Sequence, residues 1–196
     1  MKLSLRLSIA RLLLVLSTAV ATFPASQKTS PDLTSFDRKL EHLEANGERA
    51  HPDPRPTVFT EQEVNAYLAS KEVTLPDGVQ SVTLEGHPQT VTGKTRVDFD
   101  RLRAGIRSSN PLLAIFSGVH DVVVDTHAYG AGHEGHVHVD SVSLDGVEIP
   151  RFVLELFVEK YLQPNYPEIG LDSRFTLPNR IETAALGEHT LTLVQK

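Results

Sequence analysis

The chain has 196 residues, a formal charge of −6 and no cysteine. Its acidic balance gives it no general attraction for nucleic acid or anionic membrane, and it has no thiol for a disulfide or a metal. One ordinary hydrophobic core is feasible at this length, and a single domain is the default.

Residues 1–21 read as a signal peptide for export to the periplasm or beyond the cell. Lys2, Arg6 and Arg11 supply charge, residues 12–16 form the apolar run, and Ala19-Val20-Ala21 fits the small-x-small cleavage rule. Cutting after Ala21, with Ala25 as the second choice, removes those three basic residues and takes −6 to −9. The apolar run is short for a kept membrane span. Residues 22–57 then read as a linker, a short amphipathic helix and a proline-rich connector, and residues 58–196 as a single α+β domain. Leu33, Phe36, Leu40 and Leu43 are spaced three, four and three apart, which predicts a helix over 32–45. Pro52, Pro54 and Pro56 force the chain after it to be extended. The helix is an arm for a partner or for its own sheet, and its sequence does not choose.

A second helix is predicted over 59–70. Thr60 and Glu63 have the spacing of a capping box, and Phe59 and Val64 that of a hydrophobic staple. After the turn at Pro76-Asp77-Gly78 the period changes to two. Val91, Gly93, Thr95, Val97 and Phe99 share one strand face, and Thr92, Lys94, Arg96 and Asp98 share the wet one. In 119–128, Val122, Val124, Thr126 and Ala128 alternate with Asp121, Val123, Asp125 and His127. A strand over 136–144 carries Val137, Val139, Val142 and Leu144, with a shift at Ser141–Val142 that reads as a bulge. Residues 151–162 give the strongest helical signal, apolar on so many sides that something must cover it. Short strands near 173–178, 180–186 and 190–194 close the chain. The fold class is therefore α+β: a curved, mostly antiparallel sheet wrapped around a long apolar helix, with one or two amphipathic N-terminal helices.

The segment 102–118 interrupts the strands. It holds Ile106, Leu112, Leu113, Ile115 and Phe116, preceded by Arg101, Arg103 and Arg107. Ser108 or Asn110 could cap a short helix with Pro111 just inside it. It reads as a crossover helix packed on the sheet, or as an apolar lip that touches a membrane transiently through 111–116.

The order of elements resembles exported bacterial lipid-binding proteins of the tubular, SMP/BPI-like type. The likeness rests on Phe59-Thr60-Glu61-Gln62-Glu63-Val64-Asn65-Ala66-Tyr67-Leu68, on the strand Gly93-Lys94-Thr95-Arg96-Val97-Asp98-Phe99-Asp100, and on the helix over 149–162. The resemblance implies a curved sheet around a helix, an apolar groove for acyl chains, and no catalytic residues. Lining residues are then expected at Val97, Phe99, Val122, Val124, Phe152, Leu156 and Phe157, with Leu112, Leu113 and Phe116 at the mouth. Each also reads as plain core, since core wall and cavity wall both want apolar side chains.

Five histidines fall between 120 and 138: His120, His127, His133, His136 and His138. His133, His136, His138 and Asp140 are a candidate metal set, and the plainer reading is the wet face of a strand. Catalysis has little support: there is no nucleophile elbow, no phosphate loop and no His-Glu-x-x-His motif. Asp98 and Asp100 beside Arg96, Arg101 and Arg103 read as surface ion pairs. The expectation is a non-enzymatic envelope protein without a cofactor. Its partner is a lipid or other apolar small molecule rather than nucleic acid. The alternative is a structural or protein-interaction domain with no small ligand. Oligomeric state is left open.

Overall fold

In the computed structural model, residues 30–103, 109–164, 167 and 170–196 are described. The expected signal peptide, the linker before Ser30, and Ile106, Arg107 and Ser108 lie outside them. Helix α1 (Pro31–Gly47) starts where Ser30 accepts a hydrogen bond from the Leu33 amide, with Pro31 at the first turn. It buries Phe36, Leu40 and Leu43, so the arm docks on the chain's own sheet. Strand β1 (Thr57–Thr60) leads into α2 (Glu61–Leu68), whose capping box is complete: Thr60 caps the Glu63 amide and Glu63 caps the Thr60 amide.

The hairpin β2 (Val79–His87) and β3 (Thr90–Asp98) follows, then a single turn, α3 (Phe99–Leu102), capped by Asp98. Asn110 caps a three-residue 3₁₀ turn, Pro111–Leu113. Strands β4 (Val119–Ala131), β5 (Glu134–Leu144) and β6 (Val147–Glu148) come next. Helix α4 (Arg151–Phe157) runs into a π-helical turn, Val158–Leu162, and the chain ends in β7 (Asp172–Thr176), β8 (Ile181–Gly187) and β9 (Thr190–Gln195).

All the paired strands are antiparallel and form one sheet, with the path β1-β9-β8-β4-β3-β2 and β5 branching from β4 to carry β6 and β7. β4 is the junction. One edge pairs with β5; the other pairs with β3 and then, through Gly130 and Ala184, with β8. A Cβ on Gly130 would stand 2.8 Å from the Ala184 Cβ, so this close join requires glycine.

Two sequence expectations are corrected. The sheet is neither curved round a helix nor closed, and there is no long apolar helix. The segment 151–162 is seven α-helical residues and a π turn. It buries Val153, Leu154, Phe157, Val158 and Tyr161, which form one stripe, and leaves Phe152 53 % exposed. Its apolar excess is therefore left in solvent, and one sheet face suffices to cover the rest. The likeness to tubular lipid-binding proteins falls with these two features. What stands is a mixed α+β fold of an antiparallel sheet and short helices.

Buried side chains form two clusters. The first joins α1, α2, β1, β8 and β9 around Phe36, Leu43, Phe59, Tyr67 and Leu193. The second joins β3, β4, β5, the 3₁₀ turn and α4 around Val97, Phe99, Phe116, Val122, Phe157 and Tyr161.

Candidate functional site: an apolar cavity between two helical covers

The strand pairings lay the inner face out as a grid. Val82, Thr95, Val122 and Leu144 form one row across β2, β3, β4 and β5. Leu84, Gly93, Val124 and Val142 form the next, and Val91, Thr126 and Val139 a third. Helices α1 and α2 cover the end of this face near Leu84 and Val91, and α4 with the 3₁₀ turn covers the end near Val97 and Val122. Between them lies a partly open cavity of about 360 Å³ whose lining draws on both clusters.

Small side chains make the room. Gly93, Thr95, Thr126 and Ala128 stand on the floor where larger residues would fill it. A Cβ on Gly93 would have only ordinary contacts, at 3.6 Å to Leu84 and 3.9 Å to the Val124 carbonyl. No Asp, Glu, Lys, Arg or His is among the lining residues. The polar side chains on the wall are Thr95 and Thr126, and the Thr95 Oγ1 is buried without a hydrogen-bond partner among the described residues.

Of the ten expected lining residues, the structure places Val97, Phe99, Phe116, Val122, Val124 and Phe157 on the cavity wall. Leu113 is buried in the second cluster and Leu156 packs on its margin, neither against the cavity. Leu112 and Phe152 are on the surface. Val82, Leu84, Val91, Val139 and Val142 line the cavity and were not singled out. A signal existed for Val82: Val79 and Val82 are three apart in a strand, and the register shift between Val79 and Ser81 turns both inward.

In the candidate metal set His138 Nε2 and Asp140 approach to 3.9 Å, but each has a nearer partner elsewhere. His133 Nδ1 is 2.9 Å from the Ile181 carbonyl, and His136 stacks on Tyr129. His138 Nδ1 pairs with Asp172, while Asp140 sits 2.6 Å from His127 Nδ1. Among the described residues no group of three or more His, Asp or Glu side chains is placed to hold a metal ion. Asp98 caps α3, and Asp100 pairs with Arg103.

His120 lies at the margin of the second cluster, with its ring against Phe99. Its pair with Asp145 at 2.6 Å, helped by the Ser117 carbonyl, outweighs burial and raises the imidazole above its usual value; Asp145 is lowered by the same hydrogen bond and by the Asp121 amide. In the first cluster, burial pushes the Glu63 carboxyl up, but hydrogen bonds from Lys39, Ser35 and the Thr60 amide outweigh it and hold the carboxyl below its usual value. No protein-family model, curated protein or solved structure matches the chain.

Proposed function

We propose that the protein binds or carries a lipid or other apolar ligand in this cavity without catalysing a reaction on it, as a component of the cell envelope. The reading rests on the cavity alone, not on any family likeness. Left empty, 360 Å³ of apolar void costs up to about 9 kcal/mol at ~24 cal/mol per Å³. That rivals the net stability of a typical domain. The volume also falls in the range of small-molecule pockets, about 300–1,000 Å³. An apolar occupant restores the lost contacts. The absence of charge on the wall means that it need not be charged to match.

Leu112 and Ile115, 46 % and 43 % exposed, lie in and just after the 3₁₀ turn that contacts α4. Such a group supports a second element of the proposal: brief contact with a membrane while ligand is exchanged. A protein-interaction domain would use the same residues without needing the cavity. Native mass spectrometry of protein purified from cell envelope, with organic extraction of what dissociates, tests the main reading. A lipid or other apolar molecule at near one-to-one is expected. Ligand-free protein that takes up no fluorescent lipid refutes it. Vesicle co-sedimentation tests the membrane element: Leu112→Asp with Ile115→Asp should abolish it and leave ligand uptake in detergent intact.

A further inference from the structure

Given that the cavity is a ligand site, its volume and the chemistry of its wall limit what it can carry. A water molecule takes about 30 Å³ of liquid, and a methylene group about as much. A cavity of about 360 Å³ therefore encloses about 12 such groups. The wall meets them with valines and leucines of the sheet and with Phe99, Phe116 and Phe157 of the second cluster, and no charged side chain is among its residues. An ionised group has no partner there and stays in water at the opening. The enclosed part of a ligand is uncharged and no larger than about 12 non-hydrogen atoms.

Either chain of a common membrane phospholipid is longer than that. A carrier must cover what it lifts out of a bilayer, because each methylene left bare in water lowers the affinity about fourfold. One phospholipid chain would fill the cavity and the other would be left bare. A single-chain amphiphile or a small ring compound leaves little uncovered. The floor cannot retreat before a larger cargo, since it is the paired sheet itself. Val124 stands in its middle row, between Gly93 and Val142. Side chains therefore set the capacity, and substituting them should retune it.

We propose that the cargo is a single-chain amphiphile or small lipophile that buries an uncharged segment of about 12 non-hydrogen atoms, and that a diacyl phospholipid is not carried. Val124→Ala strips both methyls from the middle of the floor. Ala128→Leu adds an isopropyl group to the wall. Gly93→Val divides the space at its middle row and blocks it.

The experiment is displacement of the dye N-phenyl-1-naphthylamine from the full chain by straight-chain alcohols from hexanol to hexadecanol, each kept below its solubility limit. Affinity should rise about fourfold with each methylene and level off near dodecanol. Val124→Ala should move that plateau up by about two carbons, and Ala128→Leu should move it down by about three. Where Ala128→Leu does not fold, Val124→Ala decides. In parallel, the protein is incubated with vesicles of radiolabelled phosphatidylcholine and recovered free of them. No phospholipid should accompany it. The proposal is overturned, with the carrier reading intact, if affinity keeps rising through hexadecanol or if the recovered protein holds phospholipid at near one-to-one. It is also overturned if Gly93→Val blocks uptake while the plateau ignores the other substitutions. If the wild type binds neither dye nor alcohol, or if Gly93→Val leaves their binding untouched, the cavity reading itself fails and takes this one with it.

Discussion

The two clusters share one sheet face and are built differently. In the first, the Asn46 and Gln195 side chains are tied into a network, although Glu44 Oε1 and Asn179 Nδ2 beside it have no hydrogen-bond partner among the described residues. Asn46 Nδ2 donates to Gln195 Oε1 at 2.8 Å and to the Asp53 carbonyl at 2.9 Å, while the Asp53 amide donates back to Asn46. Gln195 Nε2 donates to the Leu43 and Asn179 carbonyls. In the second, the wall of a cavity takes the place of such a network, and the Thr95 hydroxyl is buried without a hydrogen-bond partner among the described residues. A polar network specifies one arrangement; an apolar void marks where packing has been given up. The difference teaches that the first cluster holds the fold and the second holds the room.

Matched leucine truncations should expose that contrast most strongly. Leu43→Ala, at a fully buried site, should lower stability by about 3–5 kcal/mol in urea unfolding. Leu162→Ala, on the cavity wall and only partly buried, should cost less than about 1.5 kcal/mol, because little packing is lost there. Equal losses would mean that the cavity is filled in solution. Next in size is Asn46→Ala. It strips partners from Gln195 and from the Asp53 backbone, with an expected cost of about 2–3 kcal/mol.

A smaller effect of opposite sign is expected at the cavity floor. Gly93→Val has space beside Leu84 and Val124. It also replaces a poor strand residue by a good one, so a gain of about 1 kcal/mol is expected. The same change should abolish ligand uptake. A destabilised Gly93→Val would mean that the floor is already packed.

The smallest effect is on pH dependence. His120 is raised in the folded state, so its pair with Asp145 stabilises fully below the ordinary histidine value near 6.5. That contribution is lost as pH rises through the higher folded value. The urea midpoint should therefore fall slightly between pH 6 and pH 8.5, and Asp145→Asn should flatten the trend. His189, in the turn between β8 and β9, is raised by its hydrogen bond to Glu61 and titrates with the same sign. Only the part removed by Asp145→Asn therefore belongs to the second cluster.

Much of the local structure was legible. Thr60 and Glu63 announced a cap that the backbone completes, and alternating valines marked the strands. Bulges have a readable mark as well: Val79 and Val82, Val139 and Val142, and Ile181 and Ala184 are each three apart, and each pair flanks a register shift. Long-range features were not legible. Nothing near Gly130 says that β8 will join β4 there. The apolar excess over 151–162 predicts a sheath around the helix because hydrophobicity does not state how many sides a neighbour covers; Phe152 simply stays in solvent. The cavity escaped the sequence for a related reason. Gly93 and Thr95 show small side chains on an inner face, but whether an opposing helix fills the space above them depends on where α2 and α4 come to rest.

The hydrogen bond between Asn46 and Gln195 spans 149 residues of sequence. The second cluster, by contrast, is drawn from Val97 to Tyr161, with Leu162 and Leu171 at its margin. On a ribosome these distances become times. The cavity-bearing part has all its strands for β3, β4 and β5 before β8 and β9 have been made, whereas α1 and α2 must wait for β9 to reach them. The nascent chain therefore carries an amphipathic helix pair without its partner strands for most of its synthesis. That is the interval in which a holdase would matter most.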